Sequence, residues 1–177
     1  MSIAPNDLIM QIAIEFERRG KMFYKSFAAV CDNSGLAALA ASLANAEEQH
    51  LSVFRRMRES QPPLDRCRQL DEEELCAAAK ELFNTVFPDA GMVRMAVMNS
   101  NLRKALDMAM AVETQSAAFF TKVAADWADP HAVMVTRLAE EEREHFGMLE
   151  EHRKRFVSFK GEGKHKPEQL TIMQPGA

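Results

Sequence analysis

Two stretches of this chain place a carboxylate and an imidazole where a packed helix calls for leucine. Ala40, Leu43, Glu47, His50, Phe54 and Met57 follow one another in steps of three and four. Val135, Leu138, Glu142, His145 and Leu149 do the same. Such steps trace the buried seam of a helix. Glu and His three residues apart sit on one face, one turn apart. Both copies are preceded by Leu-Ala at the same spacing. A second pattern is also duplicated. Ala13, Glu17, Gly20 and Tyr24 recur as Ala109, Glu113, Ser116 and Phe120, at a constant offset of 96. The chain therefore contains an internal repeat. Each half reads as an α-hairpin with one Glu on its first helix and Glu-x-x-His on its second.

The rest of the sequence suits that reading. Ala, Leu, Met, Glu, Lys and Arg dominate between sparse Gly and Pro, and these residues favour helix. There is one Tyr and one Trp, and no alternating apolar-polar stretch marks a strand. The expected fold class is all-α, a four-helix bundle of two repeated hairpins. Pro5, Asn6 and Asp7 are expected to start the first helix, with Asn6 or Asp7 as cap, and it should run to about Val30 with Ile9, Ile12, Phe16, Phe23 and Phe27 on its apolar face. Asp32-Asn33-Ser34-Gly35 signals a turn. The second helix should run from Leu36 to Glu59, before Pro62-Pro63. In the connection, Asp71 and Glu74 resemble a capping box, and Leu75, Ala78, Ala79, Leu82 and Phe83 suit a short helix there. Pro88-Asp89-Ala90-Gly91 breaks it. Met92 to Met98 is apolar and suits either a crossing of the bundle or a subunit contact. Asn99 or Ser100 caps a third long helix to about Trp127. Asp129-Pro130 starts a fourth, ending near Phe159. One domain over residues 1–160 is expected, followed by a polar tail over 161–177 that is expected to be disordered.

Packing two such hairpins together points Glu17, Glu47, His50, Glu113, Glu142 and His145 inward. An uncompensated buried charge costs several kcal/mol, on the order of a fold's whole reserve. Four buried carboxylates must therefore be protonated or share cations, and two divalent ions cancel four negative charges. Carboxylate oxygen and imidazole nitrogen suit iron or manganese better than thiolate-seeking metals, and zinc or cobalt is also accommodated. Tyr24 is a candidate to hydrogen-bond a ligand carboxylate, although packing alone also accounts for it. Glu48, Glu140, Glu141 and Glu144 fall off the seam and read as a solvated face. His152 reads as a polar residue near the bundle end, and His131 and His165 as solvent-exposed. The methionines read as core filler.

Several classes are disfavoured. A net charge of −4 gives no sign of a nucleic-acid partner. Cys31, Cys67 and Cys76 form no Cys-x-x-Cys pair, so reduced thiols in a cytoplasmic setting are expected. Asp7, Gln11 and Glu15 interrupt the N-terminal region, which argues against a signal peptide. No stretch reaches the ~18 apolar residues of a membrane span.

At Glu17 to Tyr24, Leu43 to His50, Ala105 to Phe120 and Leu138 to His145, the chain resembles the rubrerythrin branch of the ferritin-like superfamily. Its bundles take one Glu from each of two helices and Glu-x-x-His from each of the other two. The resemblance covers roughly residues 7–58 and 101–158. It implies two iron ions held by Glu17, Glu47, His50, Glu113, Glu142 and His145, with Glu47 and Glu142 bridging and Glu17 and Glu113 terminal. It also implies reduction of hydrogen peroxide or dioxygen with electrons from a rubredoxin or a reductase, and a homodimer. Two departures stand out. Residues 160–177 hold no cysteine, so the small four-cysteine iron domain usual at the C-terminus of full rubrerythrins is not expected. Ser116 stands where rubrerythrins commonly place an extra glutamate. The alternative functions are iron sequestration or delivery without turnover, and a helical interaction module with a vestigial site.

Overall fold

The computed structural model describes residues 5–62, 68–87, 95, 102–128 and 130–161. Among them the secondary structure is all helical: α1 (Pro5–Val30), α2 (Ser34–Ser60), α3 (Glu72–Ala78), α4 (Lys80–Val86), α5 (Leu102–Asp126) and α6 (His131–Gly161). The expectations for Pro63, Cys67, Pro88 to Gly91, Asn99, Ser100, Asp129, His165 and the tail beyond Gly161 lie outside the described residues. So does the Met92 to Met98 stretch, apart from Met95, which is helical and exposed.

Local chemistry sets the boundaries. Asn33 caps α2, its side-chain oxygen accepting from the Leu36 amide at 2.9 Å. Asp71 and Glu74 form the reciprocal capping box at the start of α3. The single short helix expected there is two, because Ala79 leaves helical geometry at φ −128° and ψ 28°. That break turns Phe83 and Val86 into the core and leaves Ala78 exposed.

α1 packs along α2, and α5 along α6, as two hairpins. Aromatic side chains join them. Phe16 stacks on Phe119 at 5.0 Å, and Phe54 stacks on Phe120 at 5.4 Å. The connecting helices cover α1 from outside, with Phe87 edge-on to Phe16 at 4.9 Å and the Arg19 guanidinium 4.5 Å above the Phe83 ring. The innermost line of α1 is Met10, Ala13, Glu17, Gly20, Tyr24 and Phe27, while Ile9 and Ile12 are only half-buried.

Asp7 is not the helix cap that its position suggests. α1 begins at Pro5, and Asp7 turns inward, fully buried. Arg58 of α2 donates to both its oxygens, through Nε at 2.7 Å and Nη2 at 3.3 Å. Gln11 donates to Asp7 Oδ2 at 2.9 Å and accepts from the Leu70 amide at 2.7 Å. This network ties residues 68–70 to the bundle. Removing one member of a buried ion pair strands the other, which costs about 3–5 kcal/mol. Arg58 is partly exposed, so Asp7→Ala is expected to destabilise by about 3 kcal/mol, the low end of that range, in urea denaturation. A loss below about 1 kcal/mol would show that water replaces the carboxylate freely.

Candidate metal centre

The six acid and histidine positions converge. Each lies on the inward stripe of its helix, Glu17 on α1, Glu47 and His50 on α2, Glu113 on α5, Glu142 and His145 on α6, and all are buried. They form two overlapping groups. One comprises Glu17, Glu47, His50 and Glu142, the other Glu47, Glu113, Glu142 and His145. Within each group, the four candidate ligating atoms lie within 4.8 Å of one another. Glu47 and Glu142 belong to both groups. The imidazole rings of His50 and His145 face each other, nearly parallel, with centroids 5.7 Å apart.

Close approach here is not hydrogen bonding. His50 Nδ1 lies 2.9 Å from Glu142 Oε1 and 3.6 Å from both Glu17 Oε2 and Glu47 Oε2. His145 Nδ1 lies 3.7 Å from Glu113 Oε2. Yet His50 Nδ1, His145 Nδ1, Glu17 Oε1, Glu113 Oε2 and both oxygens of Glu142 have no aligned hydrogen-bond partner. The His50–Glu142 approach has ion-pair distance without hydrogen-bond geometry, so we read it as two donors aimed at a common point. Buried polar atoms without partners are rare. Here they cluster, and they are the oxygen and nitrogen types that ligate divalent cations. The cluster is able to hold metal.

The surroundings set its electrostatics. Burial pushes Glu17 above its ordinary range. Burial, then the neighbouring Glu17 charge, pushes Glu47 well above. Burial, then the Glu47 charge, does the same to Glu142. Burial alone would lower the pKa of His50, but Glu142, Glu17 and Glu47 outweigh it and raise it. Without metal, the site holds protons in place of cations. Tyr24 is fully buried, its hydroxyl donating to Glu113 Oε1. Burial and the Glu113 charge hold its pKa far above the usual phenol value, so the proton stays on the ring oxygen. Gly20 provides room for Glu47. A Cβ there would lie 3.2 Å from the Glu47 carboxyl carbon.

A pH dependence follows for the metal-free protein. Glu17, Glu47 and Glu142 have folded-state pKa values above their unfolded ones. Their contribution is complete below about pH 4.3 and is lost as pH rises through the folded values. His50 is also raised, so its contribution is complete below about 6.5 and is lost above it. All four act in one direction. The chelated protein is expected to lose stability steadily from pH 6 to pH 8 in urea melts, and a rise over that window would contradict the proton count. Glu74, held down to about 2 by Arg68, acts in the opposite sense, but only at far lower pH.

Residues 9–153 match the family model for rubrerythrin. The chain belongs to the rubrerythrin family. No curated protein and no solved structure matches it. The rubrerythrin match spans all four long helices and both Glu-x-x-His copies. No helix among the described residues is long and apolar enough to cross a membrane.

Within this rubrerythrin bundle, three readings need correction. Glu141 does not simply face solvent. Its Oε2 lies 3.0 Å from His50 Nε2, and its Oε1 accepts from Arg137 Nε at 3.2 Å. The sequence held a usable signal: Glu141 directly precedes Glu142, on the shoulder of the seam that turns toward α2. His131 is half-buried, with its ring edge-on to Trp127 at 6.1 Å. Glu48 is paired with Lys21, and His152 is half-buried; Met10 and Met57 are core residues as expected, but Met22, Met134 and Met148 are exposed rather than core filler. Cys31 and Cys76 are free thiols.

Proposed function

We propose that this protein is a non-haem di-iron oxidoreductase of the rubrerythrin type, reducing hydrogen peroxide or dioxygen with electrons from an external donor. The observation that carries the reading is the pair of buried four-residue groups sharing Glu47 and Glu142, with their donor atoms unsatisfied. A ferrous pair bound there supplies two electrons, one from each ion, which matches the two-electron reduction of peroxide to water.

The chain's own residues do the rest. Glu17 and Glu113 each serve one end of the centre, and Glu47 and Glu142 serve both. His50 and His145 present Nδ1 inward from opposite helices. Tyr24 holds a proton against Glu113 and fixes that carboxylate's orientation. Phe16, Phe54 and Phe120 are buried in the core of the same bundle. Ser116, buried beside Glu113 on α5, adds no seventh ligand charge. The six-group set is therefore symmetric in composition, and it accommodates manganese or zinc as well as iron.

We place the protein in the cytoplasm as a homodimer, served by a rubredoxin or a reductase. Stopped-flow oxidation of the di-ferrous protein by peroxide tests the reading. Reaction faster than that of free ferrous iron supports turnover chemistry, and no acceleration removes it. Iron loading separates the alternative: two irons per chain fit a catalytic centre, and many per chain fit sequestration.

A further inference from the structure

We infer that the two metal positions are unequal, and that Glu141 makes the Glu17–His50 position the tighter one. The inference rests on reading the six groups as a dimetal centre. His50 is held at both ring nitrogens. Nδ1 faces Glu17, Glu47 and Glu142, and Nε2 meets Glu141 Oε2 at 3.0 Å. An ionised carboxylate only accepts hydrogen bonds. Nε2 therefore donates to Glu141, and Nδ1 is the nitrogen left facing the centre. Glu141 is itself anchored by Arg137.

The other half has no counterpart. In the repeat, Glu141 before Glu142 corresponds to Ala46 before Glu47. Among the described residues, no carboxylate oxygen comes within ion-pair distance of His145 Nε2. One imidazole is thus held in orientation by a carboxylate before a cation arrives, and the other has no such partner at Nε2. A carboxylate behind a ligating histidine is typically worth about 10–100-fold in metal affinity. Pre-orienting the ring also lowers the ordering cost of binding. Glu141 is a positioning residue that acts through His50.

The test is anaerobic titration of the full chain with Co²⁺, followed by calorimetry and by the visible ligand-field spectrum. The wild type is expected to bind two ions in two resolved steps. Glu141→Ala should weaken one step about 10–100-fold and leave the other in place. Glu141→Gln, whose amide oxygen still accepts from Nε2, should fall between them and retain the wild-type spectrum. Glu141→Ala that weakens both steps equally would assign the residue a general structural role and overturn the inference. Two equal steps untouched by either variant would overturn it too, while leaving the dimetal reading intact. A wild type that binds no Co²⁺ would remove that underlying reading, and this one with it.

Discussion

Adding a divalent metal to the chelated protein is expected to raise its thermal midpoint by about 10–20 °C. A ligand present at a hundred times its dissociation constant stabilises the folded state by about 2.7 kcal/mol per site, so two sites give about 5.4 kcal/mol. For a chain of this size, each kcal/mol moves the midpoint by about 2–4 °C. The physical source is the removal of unfavourable buried charge. Without metal, Glu17, Glu47 and Glu142 are all pushed toward the protonated form by burial. With metal, their ionised forms become ligands. Differential scanning calorimetry of chelated and reloaded protein reads the shift directly. A midpoint that moves less than about 2 °C while two ions are bound would mean that the centre is not coupled to folding.

Glu142→Gln is expected to have opposite effects in the two forms. Glu142 belongs to both candidate groups, so its loss removes a donor from each. Metal affinity should fall by more than the roughly 100-fold typical of residues one step removed from a metal. The metal-free protein should become more stable at pH 8, by on the order of 1 kcal/mol, because burial makes an ionised Glu142 unfavourable. Glutamine is nearly isosteric and cannot ionise. Calorimetric titration and urea denaturation of the same variant give both readouts. If the metal-free variant is weaker than the wild type, the approach of Glu142 to His50 at 2.9 Å stabilises the fold as an ion pair, and the charge-repulsion account is wrong.

Where the sequence was informative, periodicity was the reason. Glu47, His50, Glu142 and His145 occupy seam positions, and a seam position on a helix has only one direction to face. Glu17, Glu113 and Tyr24 are legible because the repeat aligns two columns at once. Positions at the shoulder of a seam are less legible, because their environment depends on how far the neighbouring helix leans. Glu141 is such a position, reaching His50 across to α2. Asp7 reads as a cap because a capping preference is local, whereas the partner that overrides it, Arg58, lies 51 residues away in sequence. The break at Ala79 has no composition signal at all, since alanine favours helix. The room that Gly20 leaves for Glu47 is a contact between two helices, which spacing along either one does not reveal.

The overlapping groups also say something about how such a molecule could arise. Each draws three members from one hairpin and the fourth from the other. A single hairpin could therefore have been completed by an identical copy across a twofold axis. Joining the copies in one polypeptide frees each half to change alone. Tyr24 against Phe120, Gly20 against Ser116 and Glu141 against Ala46 are the marks of that freedom. A perfectly symmetric ancestor could not have distinguished its two ends, and this chain can.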